Sequence, residues 1–134
     1  MTLVDTNILL DFIGDDPQWG DWSEQQLEAA ISRGPVIASD VVYAEVSVRL
    51  ARLKDVDFFL AEAGIDVQPV PRPGLFLAGK AYQAYRRRGG TRTGVLPDFL
   101  IGAHAAVAGV PLLTRDVARY LAYFPTLTLI APGT

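Results

Sequence analysis

The chain has 134 residues, half of them apolar and a fifth charged, with no cysteine, one histidine and a net charge of −3. A chain of that length suits one domain whose core holds without covalent staples. The lack of cysteine excludes disulfide scaffolds, thiol nucleophiles, iron–sulfur clusters and Cys/His zinc sites, so any metal must take oxygen ligands, as Mg²⁺ or Mn²⁺ do.

Thr2-Leu3-Val4 is a short apolar run that predicts a strand, and Asp5-Thr6-Asn7 offers helix-start residues ahead of Ile8 to Ile13. Gly14 to Gly20 is a turn-rich break. A second helix is expected from near Asp21, whose spacing to Glu24 matches a capping box, as far as Gly34. Pro35 to Ala38 reads as a buried strand, and Ser39 or Asp40 is placed to cap a helix reaching about Leu53. The next helix runs from about Asp55 to Ala63 and stops at Gly64. Asp66 to Val70 is a weaker strand whose neighbouring prolines suit a sheet edge.

Leu75 to Arg88 is a long helical stretch closed by Gly89-Gly90, and Pro97 suits the first turn of a helix reaching about Ala108. Gly102, Ala105, Ala106 and Gly109 predict that this helix packs closely on the sheet. Val110 to Thr114 is a strand, Asp116 to Tyr123 a short helix, and Leu127 to Ile130 a final strand. Alternating strands and helices indicate α/β architecture with a mainly parallel central sheet of four to five strands. Nothing repeats and no linker divides the chain, so residues 1–134 are expected to form a single domain. No stretch approaches the roughly 20 apolar residues of a membrane span, and Met1 to Asp5 lacks a basic leader. A cytoplasmic protein is the expectation.

Charge is unevenly spread. Residues 1–66 carry thirteen acids and four bases, whereas residues 67–134 carry eight bases and only two acids, Asp98 and Asp116. Such asymmetry points to a nucleic-acid partner, or to halves that interleave in the fold. Asp5, Asp98 and Asp116 all fall where strand ends meet helix starts, and in open parallel sheets that edge carries the sites. Each alone is explained by helix capping. Glu45 differs because it lies mid-helix, in a stripe with Arg49 and Arg52 flanked by valines. An i,i+4 pair with Arg49, worth about 0.2–0.5 kcal/mol, and a carboxylate facing a cation both account for it.

Together the four acids fit one purpose. Converging carboxylates repel unless a divalent ion neutralises them, and Mg²⁺ or Mn²⁺ in an oxygen-only site supports hydrolysis of phosphodiesters. The segments Leu3 to Leu9, Val42 to Val46, Leu96 to Ala105 and Leu113 to Asp116 resemble, in order and spacing, the four signature segments of PIN-domain ribonucleases. Within that family they look most like the VapC toxins of toxin–antitoxin pairs. The resemblance covers the whole chain. It implies a PIN-like three-layer sandwich and a Mg²⁺- or Mn²⁺-dependent endoribonuclease acting on structured RNA of the tRNA or rRNA kind. It also implies a cognate antitoxin and a homodimer. Asp5, Glu45, Asp98 and Asp116 would be the catalytic, metal-binding acids, with Thr114 and Asn7 as supporting polar residues.

Arg86-Arg87-Arg88 runs into Gly89-Gly90-Thr91-Arg92-Thr93-Gly94. Arginine grips phosphate bidentately, so this segment, Arg92 above all, is a candidate RNA clamp; a solvated helix end is the plainer reading. His104, in an alanine-rich run, is read as packing rather than catalysis. Trp19 and Trp22 are read as packing, with a partner interface as the other possibility. A non-catalytic RNA- or protein-binding module is the competing function. A phosphoacceptor receiver domain is set aside, because no acidic pair follows the first strand and no lysine follows Lys80.

Overall fold

The computed structural model describes residues 1–92 and 94–133; Thr93 of the basic segment, and Thr134, lie outside the described residues. Five short strands form one sheet among these residues: β1 (Thr2–Val4), β2 (Val36–Ser39), β3 (Ile65–Gln68), β4 (Leu112–Leu113) and β5 (Leu129–Ile130). Every pairing is parallel, with the order β3-β2-β1-β4-β5. The helices are α1 (Thr6–Ile13), α2 (Gly20–Arg33), α3 (Asp40–Ser47), α4 (Leu53–Glu62), α5 (Arg72–Arg87), α6 (Leu96–Ala108) and α7 (Ala118–Tyr123). Their contacts fall into two groups, α1–α4 and α5–α7, with α3 meeting α6. The sheet is α/β and wholly parallel, and β3 is an edge strand, as expected.

The strand order dictates where a site can form. From β1 the chain steps outward to β2 and β3, then crosses back to place β4 on the other side of β1. The order therefore reverses between β1 and β4, and helices leaving those strands diverge and open a crevice at their carboxyl ends. Thr2, Leu3 and Val4 are buried, as are Leu112 and Leu113, because central parallel strands are covered on both faces.

Several boundaries differ from the sequence reading. α2 starts at Gly20 with no side-chain cap; the turn before it is folded by Asp16, whose Oδ1 accepts from the backbone N–H of Gln18 and Trp19 at 2.9 and 2.8 Å. The Asp21–Glu24 capping box is thus not used. Ser39 makes no side-chain cap either, since its hydroxyl is paired with His104 Nδ1 at 2.7 Å. α3 ends at Ser47, well short of Leu53. Ser47 Oγ donates to the Tyr43 carbonyl at 2.7 Å, a local bond that competes with the helical ladder. Arg49 and Arg52 therefore leave the Glu45 stripe, and Arg52 pairs with Asp55 at 3.2 Å. α7 begins at Ala118, which leaves Asp116 in the turn after β4.

α5 and α6 form an antiparallel pair, with Gly74 beside Val107 at one end and Tyr85 against Phe99 at the other. The buried Phe99 also meets Tyr82, Tyr123 and Phe124. Gly102 does permit a close approach, but to the aromatic rings of α7 and its end rather than to the sheet: a Cβ there would stand 2.7 Å from Phe124 Cε2 and 2.9 Å from Tyr120 Cδ1. Gly109 instead ends α6 in a left-handed conformation with φ 67°, which glycine adopts without the Cβ penalty.

Gly102→Ala is expected to destabilise the fold by about 1–3 kcal/mol through overpacking. Urea unfolding should show a lower midpoint with an unchanged slope; an unaltered midpoint would show that these rings yield freely.

Candidate active site

Asp5 is the first residue beyond β1 and the N-cap of α1. Its Oδ1 accepts from the Thr6 N–H at 2.7 Å. Its Oδ2 accepts from two hydroxyls, Thr114 Oγ1 at 2.7 Å and Tyr120 Oη at 2.9 Å. Thr114 follows β4 and Tyr120 lies on α7, so one carboxylate joins both strands that flank the crevice. Burial pushes the Asp5 carboxyl up to about 6 from its ordinary 3.8; the hydroxyl and backbone bonds oppose that rise and the nearby Asp98 adds to it.

Thr114 is fully buried and its hydroxyl serves as a junction. It donates to Asp5 and accepts from Asn7 Nδ2 at 3.3 Å and from the Asp116 N–H at 3.0 Å. Asn7 Oδ1 in turn accepts from the Arg115 N–H at 3.3 Å. The two polar residues singled out in the sequence are therefore in direct contact, and they tie the turn carrying Asp116 to the start of α1.

Asp98 sits in the first turn of α6, behind Pro97. Burial raises its pKa, Arg119 pulls it down, Asp116 raises it and Arg92 lowers it. The Tyr120 hydroxyl is pushed well above 10 by burial and then by Asp5, Asp98 and Asp116. Three of the acids expected from the sequence thus share one electrostatic neighbourhood. Glu45 joins less directly: its Oε1 accepts from Thr6 Oγ1 at 2.7 Å, and Thr6 is the residue whose N–H binds Asp5. No ion pair links Glu45 to Arg49 among the described residues.

As arranged here, no three or more Asp, Glu, His or Cys residues among those described stand close enough to hold a metal ion. The reason is visible in their partners. Arg119 on α7 donates from Nη1 to Asp98 Oδ2 and lies 3.8 Å from Asp116 Oδ2, so a guanidinium stands where charge neutralisation is required. The donor set itself suits a hard cation: carboxylates alone, mutually repulsive, with one cationic side chain against two of them. Asp5, Asp98 and Asp116 are the residues that could hold such an ion, with Glu45 at one remove.

Three participants were not singled out in the sequence. Tyr120 and Arg119 follow Asp116 at i+4 and i+3, a spacing that places them beside it only once α7 has formed. Thr6 lies inside the Asp-Thr-Asn segment, whose pattern marks only a helix start and not the Thr6 Oγ1 bond to Glu45. Nearby, Arg115 makes two bonds to the buried Asp11, at 2.5 and 2.8 Å, and lies over the Trp19 ring. Asp11 also accepts from Ser23 Oγ at 2.8 Å. Trp19 and Trp22 meet edge to face, in keeping with packing. His104 is buried against Ser39, and burial lowers its pKa.

Arg86, Arg87 and Arg88 are exposed at the end of α5, with Arg88 over the Tyr123 ring. The loop beyond folds back: Gly90 packs on the Tyr85 ring, and the Arg92 N–H donates to Tyr85 Oη at 3.0 Å. This fixed backbone sets the Arg92 side chain within electrostatic range of Asp98.

The class defined by this arrangement is a parallel α/β protein with carboxylates gathered at the point where strand order reverses. The family model of the PIN domain matches residues 2–121, and the chain belongs to that family. Among curated proteins none matches the sequence. Solved structures similar in fold include a chain of VapBC2 from Rickettsia felis bound to a promoter DNA fragment, with 19% identity, TM-score 0.71 and 97% of both chains covered. Another is in FitAcB from Neisseria gonorrhoeae, at 20% identity and TM-score 0.67, covering 97% of this chain and 96% of that one. A third belongs to a toxin–antitoxin complex from Klebsiella pneumoniae, at 22% identity and TM-score 0.65, covering 98% of each. No helix among the described residues is long and apolar enough to cross a membrane.

The Asp5 titration predicts a pH effect. Between pH 3.8 and about 6 the native state keeps a proton that the unfolded chain has released, so stability falls as pH rises through that window. Ionising Asp5 in the folded, ion-free protein costs on the order of 3 kcal/mol. Thermal melts in EDTA should show wild type losing ground to Asp5→Asn from about pH 4 to about pH 7. Parallel curves would show that Asp5 titrates normally.

Proposed function

We propose that residues 1–134 form a single PIN-like domain that works as a metal-dependent endoribonuclease, cleaving structured RNA of the tRNA or rRNA kind as the toxin of a toxin–antitoxin pair. The observation that carries this is the polar network beside the strand-order reversal, in which Thr114 links Asp5 to the turn of Asp116 and Arg119 links Asp116 to Asp98. Membership of the PIN family supports the nuclease reading. The Klebsiella and VapBC2 likenesses support the toxin–antitoxin setting. A cognate antitoxin that covers the acidic crevice, a homodimer and a cytoplasmic location belong to the same reading.

Asp5, Asp98 and Asp116 would hold Mg²⁺ or Mn²⁺, with Glu45 completing the set. When bound, such a cation supplies Lewis-acid stabilisation of charge building on phosphate oxygens. The chain's own residues do the positioning. Thr114 and Tyr120 fix the Asp5 carboxylate from two sides, Thr6 orients Glu45, and Asn7 braces the turn that carries Asp116. At the rim, Arg92 and the Arg86–Arg88 run offer guanidinium groups to an RNA backbone.

Asp5→Asn and Asp98→Asn are each expected to lower Mg²⁺- or Mn²⁺-dependent RNA cleavage at least about 100-fold, the scale of losing preorganised charge stabilisation, while circular dichroism shows a folded protein. Full cleavage by either variant, or by wild type in excess EDTA, ends this reading. RNA bound but never cleaved with metal present would favour the non-catalytic module. Arg92→Ala should weaken RNA binding and flatten the dependence of log Kd on log salt by about one; an unchanged slope would remove Arg92 from the RNA path.

A further inference from the structure

Two arginines stand on either side of Asp116, one residue before it and three residues after it, and they are used differently. Arg115 is engaged by two bonds to Asp11 and lies over Trp19, so its charge is committed to holding the turn. Arg119 reaches into the acidic crevice with a single nitrogen, Nη1, which contacts both Asp98 and Asp116. Those two acids come from different elements, α6 and the turn after β4, so one guanidinium bridges them. Arg119 is itself only 19% exposed, so its guanidinium is an internal counter-ion rather than a surface charge.

We propose that Arg119 is a tethered counter-ion that occupies the acidic crevice in the ion-free protein, competes with the divalent cation for Asp98 and Asp116, and so sets the affinity of the site for metal. The inference rests on the metal-site reading above. The physical basis is that both cations seek the same oxygens. A guanidinium held at one point through a rotatable stem is displaced more readily than the two-point Arg115 grip, because fewer bonds break and its entropy is regained on release. Neutralisation by Arg119 also lets Asp98 and Asp116 stay near one another before metal arrives, without the repulsion that would spread them.

Calorimetric titration of Mn²⁺ into wild type and Arg119→Gln tests this, alongside nitrogen-15 spectra of wild type titrated with Mg²⁺. Arg119→Gln is expected to bind Mn²⁺ about three- to tenfold more tightly, the equivalent of a part-buried ion pair no longer given up. In wild type the Arg119 Nε–H resonance should shift and lose protection as Mg²⁺ saturates the site. Equal or weaker Mn²⁺ binding by a folded Arg119→Gln overturns the inference alone. Tighter binding with an undisturbed Arg119 resonance also overturns it, since the effect would then come from net charge. Should the variant not fold, an undisturbed wild-type resonance at saturating Mg²⁺ still overturns the competition. Absence of Mn²⁺ binding by both proteins overturns the metal-site reading and the inference with it.

Discussion

The carboxylate of Asp5 is under opposing demands. It is buried almost completely, which favours its neutral form, yet it accepts three hydrogen bonds that favour its charged form. Those bonds come from α1, from the end of β4 and from α7, so the group ties together the three elements that border the crevice. A side chain that merely capped α1 would need one of them. The other two are spent on the Thr114 and Tyr120 hydroxyls, and through Thr114 on Asn7 and Asp116. The walls of the crevice are therefore held by a polar network centred on one acid, and a buried network of this kind is stiff when every member is satisfied. Among the described residues no buried side-chain polar atom lacks a partner.

Around that centre the protein manages charge with arginines from one short stretch. Arg115 neutralises Asp11 beneath Trp19, and Arg119 neutralises Asp98 and Asp116 above Tyr120. The first pair fastens the turn to α1 and α2; the second meets the acids at the mouth. Their difference in geometry separates support from availability. Arg92 adds a third positive group within electrostatic range of Asp98, on a backbone held because Gly90 and the Arg92 N–H both rest on Tyr85. Bases from the second half of the sequence, Arg115 and Arg119, thus pair with acids from both halves, Asp11, Asp98 and Asp116, so the two halves interleave in the fold.

Glu45 shows how far local pattern carries. Its stripe with Arg49 and Arg52 assumed a helix continuing to about Leu53. The helix stops at Ser47, and the carboxylate instead accepts from Thr6, thirty-nine residues away in sequence. Periodicity identified an acid that needed a partner; it had no means of finding one supplied by a separate element. The same limit explains Tyr120 and Arg119, which read as ordinary residues of a short helix until α7 is docked against α6 at Gly102.

Alternating short apolar runs and helical stretches, read along the chain, were enough to establish a parallel α/β architecture, because burial on both faces and helical spacing are local properties of sequence. The same reading placed Asp5 and Asp116 just beyond strand ends and Asp98 at a helix start, though α6 follows α5 and not a strand, and it exposed the likeness to PIN domains in the segments around them. Tertiary structure alone decided which junctions become neighbours. The crossing from β3 back to β4 sets β4 beside β1, and this brings Thr114 and Tyr120 onto Asp5 and Arg119 onto Asp98. Those contacts span from twenty-one to more than a hundred residues of chain, and separations of that kind are specified by the order of strands in the sheet, which no window of sequence contains.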